Sequence, residues 1–145
     1  MNQMKLIFVI GAPRSGTHML ASHINKNVDN VVYLGEINEI WKEFILLQKS
    51  DWISSKYVSS AVRKKVYQGF LNLAHQKANS SLECEGTMIM KKTPANTIRF
   101  PFVAKLFPDA RFIHIIRDGR DVAISYRKKA RGDANEITKT GNPTN

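Results

Sequence analysis

The sequence predicts an α/β fold, a three-layer arrangement in which a parallel sheet carries helices on both faces. Three observations predict it. Short apolar runs of strand length alternate along the chain with segments whose apolar residues step by three or four, the pattern of strand–helix–strand units. A glycine-bounded turn, Gly11-Ala12-Pro13-Arg14-Ser15-Gly16-Thr17, directly follows the first of those runs. Arg14, Glu36, Lys92 and Arg117 each fall at or just beyond the C-terminal end of a predicted strand, the edge along which open α/β sheets bind ligands.

Leu6-Ile7-Phe8-Val9-Ile10 reads as the first strand and is too short for a signal-peptide core. Thr17 to Lys26 reads as a helix presenting Met19, Leu20 and Ile24 to the sheet. Val31-Val32-Tyr33-Leu34 is a strand or extended segment leading to Glu36. Ile37, Ile40, Trp41, Phe44 and Leu47 then recur at helical spacing, and Val58, Val62, Val66, Phe70 and Leu73 mark a third helix. Helices of this length need a buried face, so both stripes are assigned to the core. Thr87-Met88-Ile89-Met90 reads as a strand ending at Lys91-Lys92, and Pro94 opens a turn. Pro101 starts a helix from Phe102 to Phe107, since a first turn has no use for the N–H that proline lacks. A strand from Arg111 to Ile116 and a helix from about Arg120 to Ala130 complete the series. His114, Trp41 and Trp52 read as packing residues. Residues 1–131 therefore form one domain, and the polar stretch 132–145, without apolar periodicity, reads as a flexible tail.

Composition limits the function classes. A chain of 145 residues, 43% hydrophobic, suits one domain with a true core. The net charge of +10, from 22 Lys and Arg against 12 Asp and Glu, predicts attraction to anions and fast capture of a multiply charged ligand. The basic residues are dispersed and lack the aromatic-basic motif of an RNA-binding sheet, which argues against nucleic acid as the partner. Cys84, the single cysteine, permits no internal disulfide and reads as a small apolar packing residue in a reducing compartment. The four histidines show no metal-ligand spacing, and no segment approaches membrane-spanning length. The expectation is a cytoplasmic protein with no stable membrane insertion and no metal requirement.

The glycine turn departs from the nucleoside-triphosphate loop G-x-x-x-x-G-K-[ST]. Gly11 and Gly16 have the spacing, but Thr17 stands in the lysine slot and His18 follows it. Such a loop loses its grip on β/γ-phosphates and its first Mg²⁺ ligand. It keeps backbone N–H groups and a helix N-terminus for an anion, and adds a cation at Arg14. The second segment, Arg117-Asp118-Gly119-Arg120-Asp121-Val122-Ala123-Ile124-Ser125, offers a bidentate guanidinium and a hydroxyl. Together they read as a clamp for two phosphates.

Those two segments resemble the sulfotransferases that use 3′-phosphoadenosine 5′-phosphosulfate (PAPS), with a P-loop-like fold. The resemblance implies that Arg14, Ser15, Gly16 and Thr17 bind the 5′ end of the donor, while Arg117 and Ser125 bind its 3′-phosphate. Gly35-Glu36 is similar to the segment carrying the general base of tyrosylprotein sulfotransferases and their bacterial relatives. Lys92-Thr93-Pro94 is similar to the segment whose lysine helps stabilise the transferring sulfonate. The resemblance runs from about residue 6 to about residue 130. Family members usually continue beyond the 3′-phosphate helix into a part that supplies adenine contacts and much of the acceptor pocket, so this chain corresponds to the N-terminal portion of the family fold.

The implied reaction is metal-free transfer of a sulfonate from PAPS to an acceptor hydroxyl on a sugar, lipid-linked glycan, peptide or small molecule, releasing adenosine 3′,5′-bisphosphate (PAP). Arg14 and Lys92 would neutralise developing charge and Glu36 would take the acceptor proton. Two alternatives stand beside it: a non-catalytic PAPS- or PAP-binding module, and a kinase-like phosphotransferase, which Thr17 disfavours. Glu36 itself reads equally as a base or as an acid at the start of a helix. Acceptor identity and oligomeric state are not encoded in any segment.

Overall fold

Alternation along four short strands sets the layers. The structure, a computed structural model, describes residues 5–78 and 86–132. The strands are β1 (Lys5–Gly11), β2 (Val31–Tyr33), β3 (Met88–Lys92) and β4 (Arg111–Ile115). They form one parallel sheet in the order β2-β3-β1-β4. Helix α1 (Thr17–Asn27) joins β1 to β2. Between β2 and β3 run a 3₁₀ turn (Glu39–Trp41), α2 (Lys42–Gln48), a second 3₁₀ turn (Ser55–Tyr57) and α3 (Ser60–Ala78). A third 3₁₀ turn (Pro94–Thr97) and α4 (Phe100–Leu106) lead to β4, which is followed by α5 (Gly119–Ala130).

Successive side chains of a strand point to opposite faces, and the two faces are covered unequally. Leu6, Phe8, Ile10, Val32, Leu34 and Ile89 bury against Trp41, Val66, Phe70, Phe102, Leu106 and Phe107 from the α3 and α4 side. Phe8 is the hub, with ring centres of Phe70 at 5.8 Å, Phe107 at 6.2 Å and Phe112 at 5.4 Å. The opposite face holds Val9 and Met90 beneath Ala21 of α1, flanked by Leu20 and Ile24. The α/β three-layer expectation therefore holds.

Several residues assigned to the core lie outside it. Met19 is 75% exposed, and the small Ala21 takes the sheet contact because it lets α1 lie close to the strands. Leu47 is exposed because the stripe from Ile37 is broken into a 3₁₀ turn and a short helix, which rotates its end away from the core. Trp41 is fully buried whereas Trp52 is half exposed. His114, expected to pack, is exposed near the end of β4, which among the described residues pairs with β1 alone. Cys84 and residues 133–145 lie outside the described residues.

Two cations are built into the larger core. Arg99 is fully buried at the start of α4. Its guanidinium donates to the Asp51 carbonyl at 2.8 Å, to the Asp51 carboxylate, and to the side-chain oxygens of Asn38 at 3.3 Å and Asn96 at 3.5 Å. Lys91, on the same face as Ile89, is 1% exposed. Its ammonium donates to the Ile37 carbonyl and lies 5.7 Å from the centre of the Phe70 ring. Burial, reinforced by Arg99 and opposed by Glu39 and Glu36, pushes Lys91 down to about 7. An unfolded lysine keeps its proton to about pH 10.4. Between those values the unfolded chain binds more protons than the folded one, so this group makes stability rise with pH from about 7 to about 10. Urea denaturation of wild type and Lys91→Met at pH 6 and pH 10 checks this: wild type should gain relative to the variant as pH rises, and a constant difference would refute a desolvated ammonium.

Candidate active site at the carboxyl edge of the sheet

Because all four strands run parallel, the segments that leave them gather at one edge. The first segment depends on Gly11. A Cβ there would stand 2.7 Å from the Ile115 carbonyl oxygen, and its φ of +152° lies outside the range open to other residues. Glycine therefore lets the ends of β1 and β4 meet. The Thr97 hydroxyl secures the same residue twice, accepting from the Gly11 N–H at 2.8 Å and donating to the Gly11 carbonyl at 3.1 Å.

Beyond Gly11 the chain turns through Arg14 (φ +68°) and Gly16 (φ +104°), closed by a bond from the Ser15 N–H to the Ala12 carbonyl at 3.1 Å. Gly16 caps α1 without a side-chain hydrogen bond, so the first N–H groups of that helix keep their capacity for an anion. The Ser15 hydroxyl is buried and has no hydrogen-bond partner among the described residues. A phosphate or sulfonate oxygen would satisfy it.

The second segment lies directly against the first. Arg14 Nε donates to Ser125 Oγ at 3.1 Å, and Arg117 donates from a terminal nitrogen to the Arg14 carbonyl at 3.2 Å. Arg117 also has Asp121 at 3.7 Å, one turn along α5. Asp118 caps α5 by accepting from the Arg120 N–H at 2.9 Å. The Arg120 side chain folds back on the same carboxylate at 2.6 Å, holding Asp118 below the usual carboxylate range. Of the two arginines in this segment, Arg117 is the one in contact with the glycine turn.

The third part is an ion pair. Lys92 ends β3 beside β1, is nearly fully buried, and meets the carboxylate of Glu36, whose side chain is half exposed. Lys92 is thus no solvated surface lysine. The backbone before Glu36 extends the pairing of β2 with β3, through the Leu34 N–H to the Met90 carbonyl at 2.9 Å and the Lys92 N–H to the Gly35 carbonyl at 3.4 Å. Gly35, with φ +76°, turns the chain out of the sheet. The helical segment that follows begins with Asn38 as its cap and Glu39 as its first-turn acid. Glu36 lies before it. Burial, then the Glu36 charge, raises the Tyr33 phenol.

Sequence reasoning placed Arg14, Glu36, Lys92 and Arg117 at or just beyond strand ends on one edge, where the structure also has them; Ser15 and Gly16 lie in the glycine turn, Thr17 starts α1, and Ser125 lies on α5 against Arg14. It did not single out Thr97, Arg99, Lys91 or Tyr33. Nothing local marks them, because the partners of Thr97 and Arg99 lie 86 and 48 residues away in sequence. His18 is exposed. Between the glycine turn and the end of β4 opens a hollow of about 570 Å³, lined by Pro13, Ile98, His114, Ile116 and Arg117 among others. The arrangement offers two things chemically: a cationic cradle with unused donors, and a carboxylate held against a buried ammonium.

The chain is similar to known proteins. A family model described as the sulfotransferase family matches residues 7–143. Protein-tyrosine sulfotransferase 1 of Danio rerio is 31% identical over 128 residues, covering 81% of this chain and 34% of that protein. Protein-tyrosine sulfotransferase 1 of Mus musculus is 28% identical over 125 residues, covering 81% of this chain and 32% of its own length. The protein-tyrosine sulfotransferase of Drosophila melanogaster is 26% identical over 123 residues, covering 81% and 24%. The chain spans about a quarter to a third of the length of these relatives. Since the family match begins inside β1 and takes in every later strand and both anion-facing segments, the chain belongs to the sulfotransferase family.

Proposed function

We propose that this chain binds PAPS and transfers its sulfonate to the hydroxyl of a tyrosine in a peptide or protein, leaving PAP. The observation that carries the reading is the direct contact between the two anion-binding segments, Arg14 to Ser125 and Arg117 to the Arg14 carbonyl, across 111 and 103 residues of sequence. Two guanidinium groups, a hydroxyl and a helix N-terminus then converge where a ligand with phosphates at both ends would lie. The unpartnered Ser15 hydroxyl fits such a ligand. A phenolic acceptor is favoured by the relatives, which are named as protein-tyrosine sulfotransferases.

Arg117 and Ser125 would hold the 3′-phosphate; Arg14, Ser15, Gly16 and Thr17 would hold the 5′ end. When bound, the donor supplies a sulfonate activated by its anhydride link to phosphate. Glu36 would accept the proton of the attacking hydroxyl. Lys92 fixes that carboxylate at the end of β3 and, with Arg14, would balance the charge that builds on the leaving phosphate. No residue in these roles calls for a metal ion. A second reading, PAP binding without transfer, takes the phosphate-binding contacts alone and leaves the Glu36 carboxylate neutralised by Lys92.

Two variants test the assignments. Arg117→Ala should weaken PAP about 10- to 100-fold in calorimetry, the loss expected of a charge-assisted hydrogen bond, while barely affecting ADP; equal losses for both nucleotides would remove Arg117 from the 3′-phosphate. Glu36→Gln should lower sulfonate transfer from PAPS to a tyrosine peptide by about 10²–10⁴-fold with PAP affinity unchanged. Undiminished transfer by that variant would exclude Glu36 as the base. PAP binding by wild type without measurable transfer would establish the second reading.

A further inference from the structure

The turn that carries Glu36 is held on both sides by amines. The Leu34 carbonyl accepts from Lys77 Nζ at 2.9 Å, and the Ile37 carbonyl accepts from the Lys91 ammonium. Lys77 reaches in from α3 and is a surface cation with a local use. Lys91 is different, because it lies in the core against the Phe70 ring with 1% exposure. An ion at that depth gives up hydration that a single hydrogen bond to a carbonyl does not repay. Methionine would fill a similar volume at lower cost. Core packing therefore gives no reason for an amine at this position, and among the described residues its hydrogen bond goes to the turn beside Glu36.

We propose that Lys91 is a positioning residue for Glu36: anchored on β3, its amine fixes the Ile37 carbonyl and so sets the direction in which the Glu36 side chain leaves the turn toward Lys92. Successive residues of a strand point to opposite faces, so Lys91 holds the backbone of the turn from one face of β3 while Lys92 holds its carboxylate from the other. The inference deepens the sulfonate-transfer reading and rests on Glu36 as the base. The charged groups acting on Lys91 are Arg99 from the start of α4, Glu39 from the first 3₁₀ turn and Glu36 itself. With Lys91 titrating at about 7, the loss of its proton alters both the clamp and the field at Glu36 within the neutral range.

The experiment is a carboxyl-carbon NMR titration of Glu36 in the full chain, with amide hydrogen exchange at Ile37 and Asn38, on wild type and Lys91→Met, and PAP calorimetry and tyrosine-peptide turnover on both. In wild type the Glu36 resonance should show a second step near pH 7. Lys91→Met should lose that step, exchange the two amides about tenfold faster, and lower kcat while the donor KM and PAP affinity stay unchanged, the split expected of a misdirected base with intact phosphate contacts. A wild-type titration without the second step overturns the proposal, and so does a variant with unaltered exchange and kcat. If Lys91→Met does not fold, Lys91→Leu takes its place in the same exchange and kcat measurements. Failure of wild type to bind PAP would instead defeat the sulfonate-transfer reading, leaving the titration and exchange to judge Lys91 separately.

Discussion

The close approach of two parallel strand ends at Gly11 is the constraint on which the rest of this molecule depends. With no Cβ between β1 and the Ile115 carbonyl, the segments following β1 and β4 start from adjacent points. Their arginines then meet although a hundred residues of chain separate them. Thr97 makes that junction rigid by bonding both polar groups of Gly11. Through the next turn Arg99 ties the same stretch to Asn38 and Asp51. The glycine turn, the arginine segment and the Glu36 turn are thus fixed to one another through the Pro94–Thr97 turn and its neighbours, and the phosphate cradle and the carboxylate do not move independently.

Electrostatics at this edge is lopsided by construction. Arg14, Arg117, Lys92 and the buried Lys91 converge, and Glu36 and Asp121 are the carboxylates among their direct partners. An excess of fixed cations destabilises the free protein through mutual repulsion and favours any ligand that brings compensating charge. The low value of Lys91 comes first from its burial and then from a second cation, Arg99, nearby in the core. Buried cations with few carboxylates are a poor way to stabilise a fold. Their presence is better explained by the atoms they hold in place.

What was legible in the sequence was what is local. The glycine turn declares its cation and hydroxyls within seven residues, and the arginine segment declares its serine one helix face later. Strand and helix periods gave the layers, because burial on both faces leaves continuous apolar runs in β1 and β3. What stayed hidden depends on tertiary distance. Thr97 and Arg99 look like ordinary polar residues around a proline turn until their partners, far along the chain, are known. Lys91-Lys92 reads as a charged pair at a strand end, where solvation is the default, yet both are buried because α3 and the Glu36 turn close over them. Met19 and His114 misled in the opposite sense: pattern assigns a residue to a face, but only the neighbouring elements decide whether that face is covered at that point.

The hydrogen bond between Arg14 and Ser125 has a consequence for the entropy of ligand capture. A free arginine carries about 2 kcal/mol of rotamer freedom that must be given up when it grips an anion. Here Arg14 already spends time in one orientation, restrained by a solvent-exposed bond of 3.1 Å that is weak enough to exchange for a stronger one. Part of the ordering cost of recognition is thereby met during folding. The two halves of the cradle, by occupying each other, stay close to the shape in which they would grip a ligand that spans both.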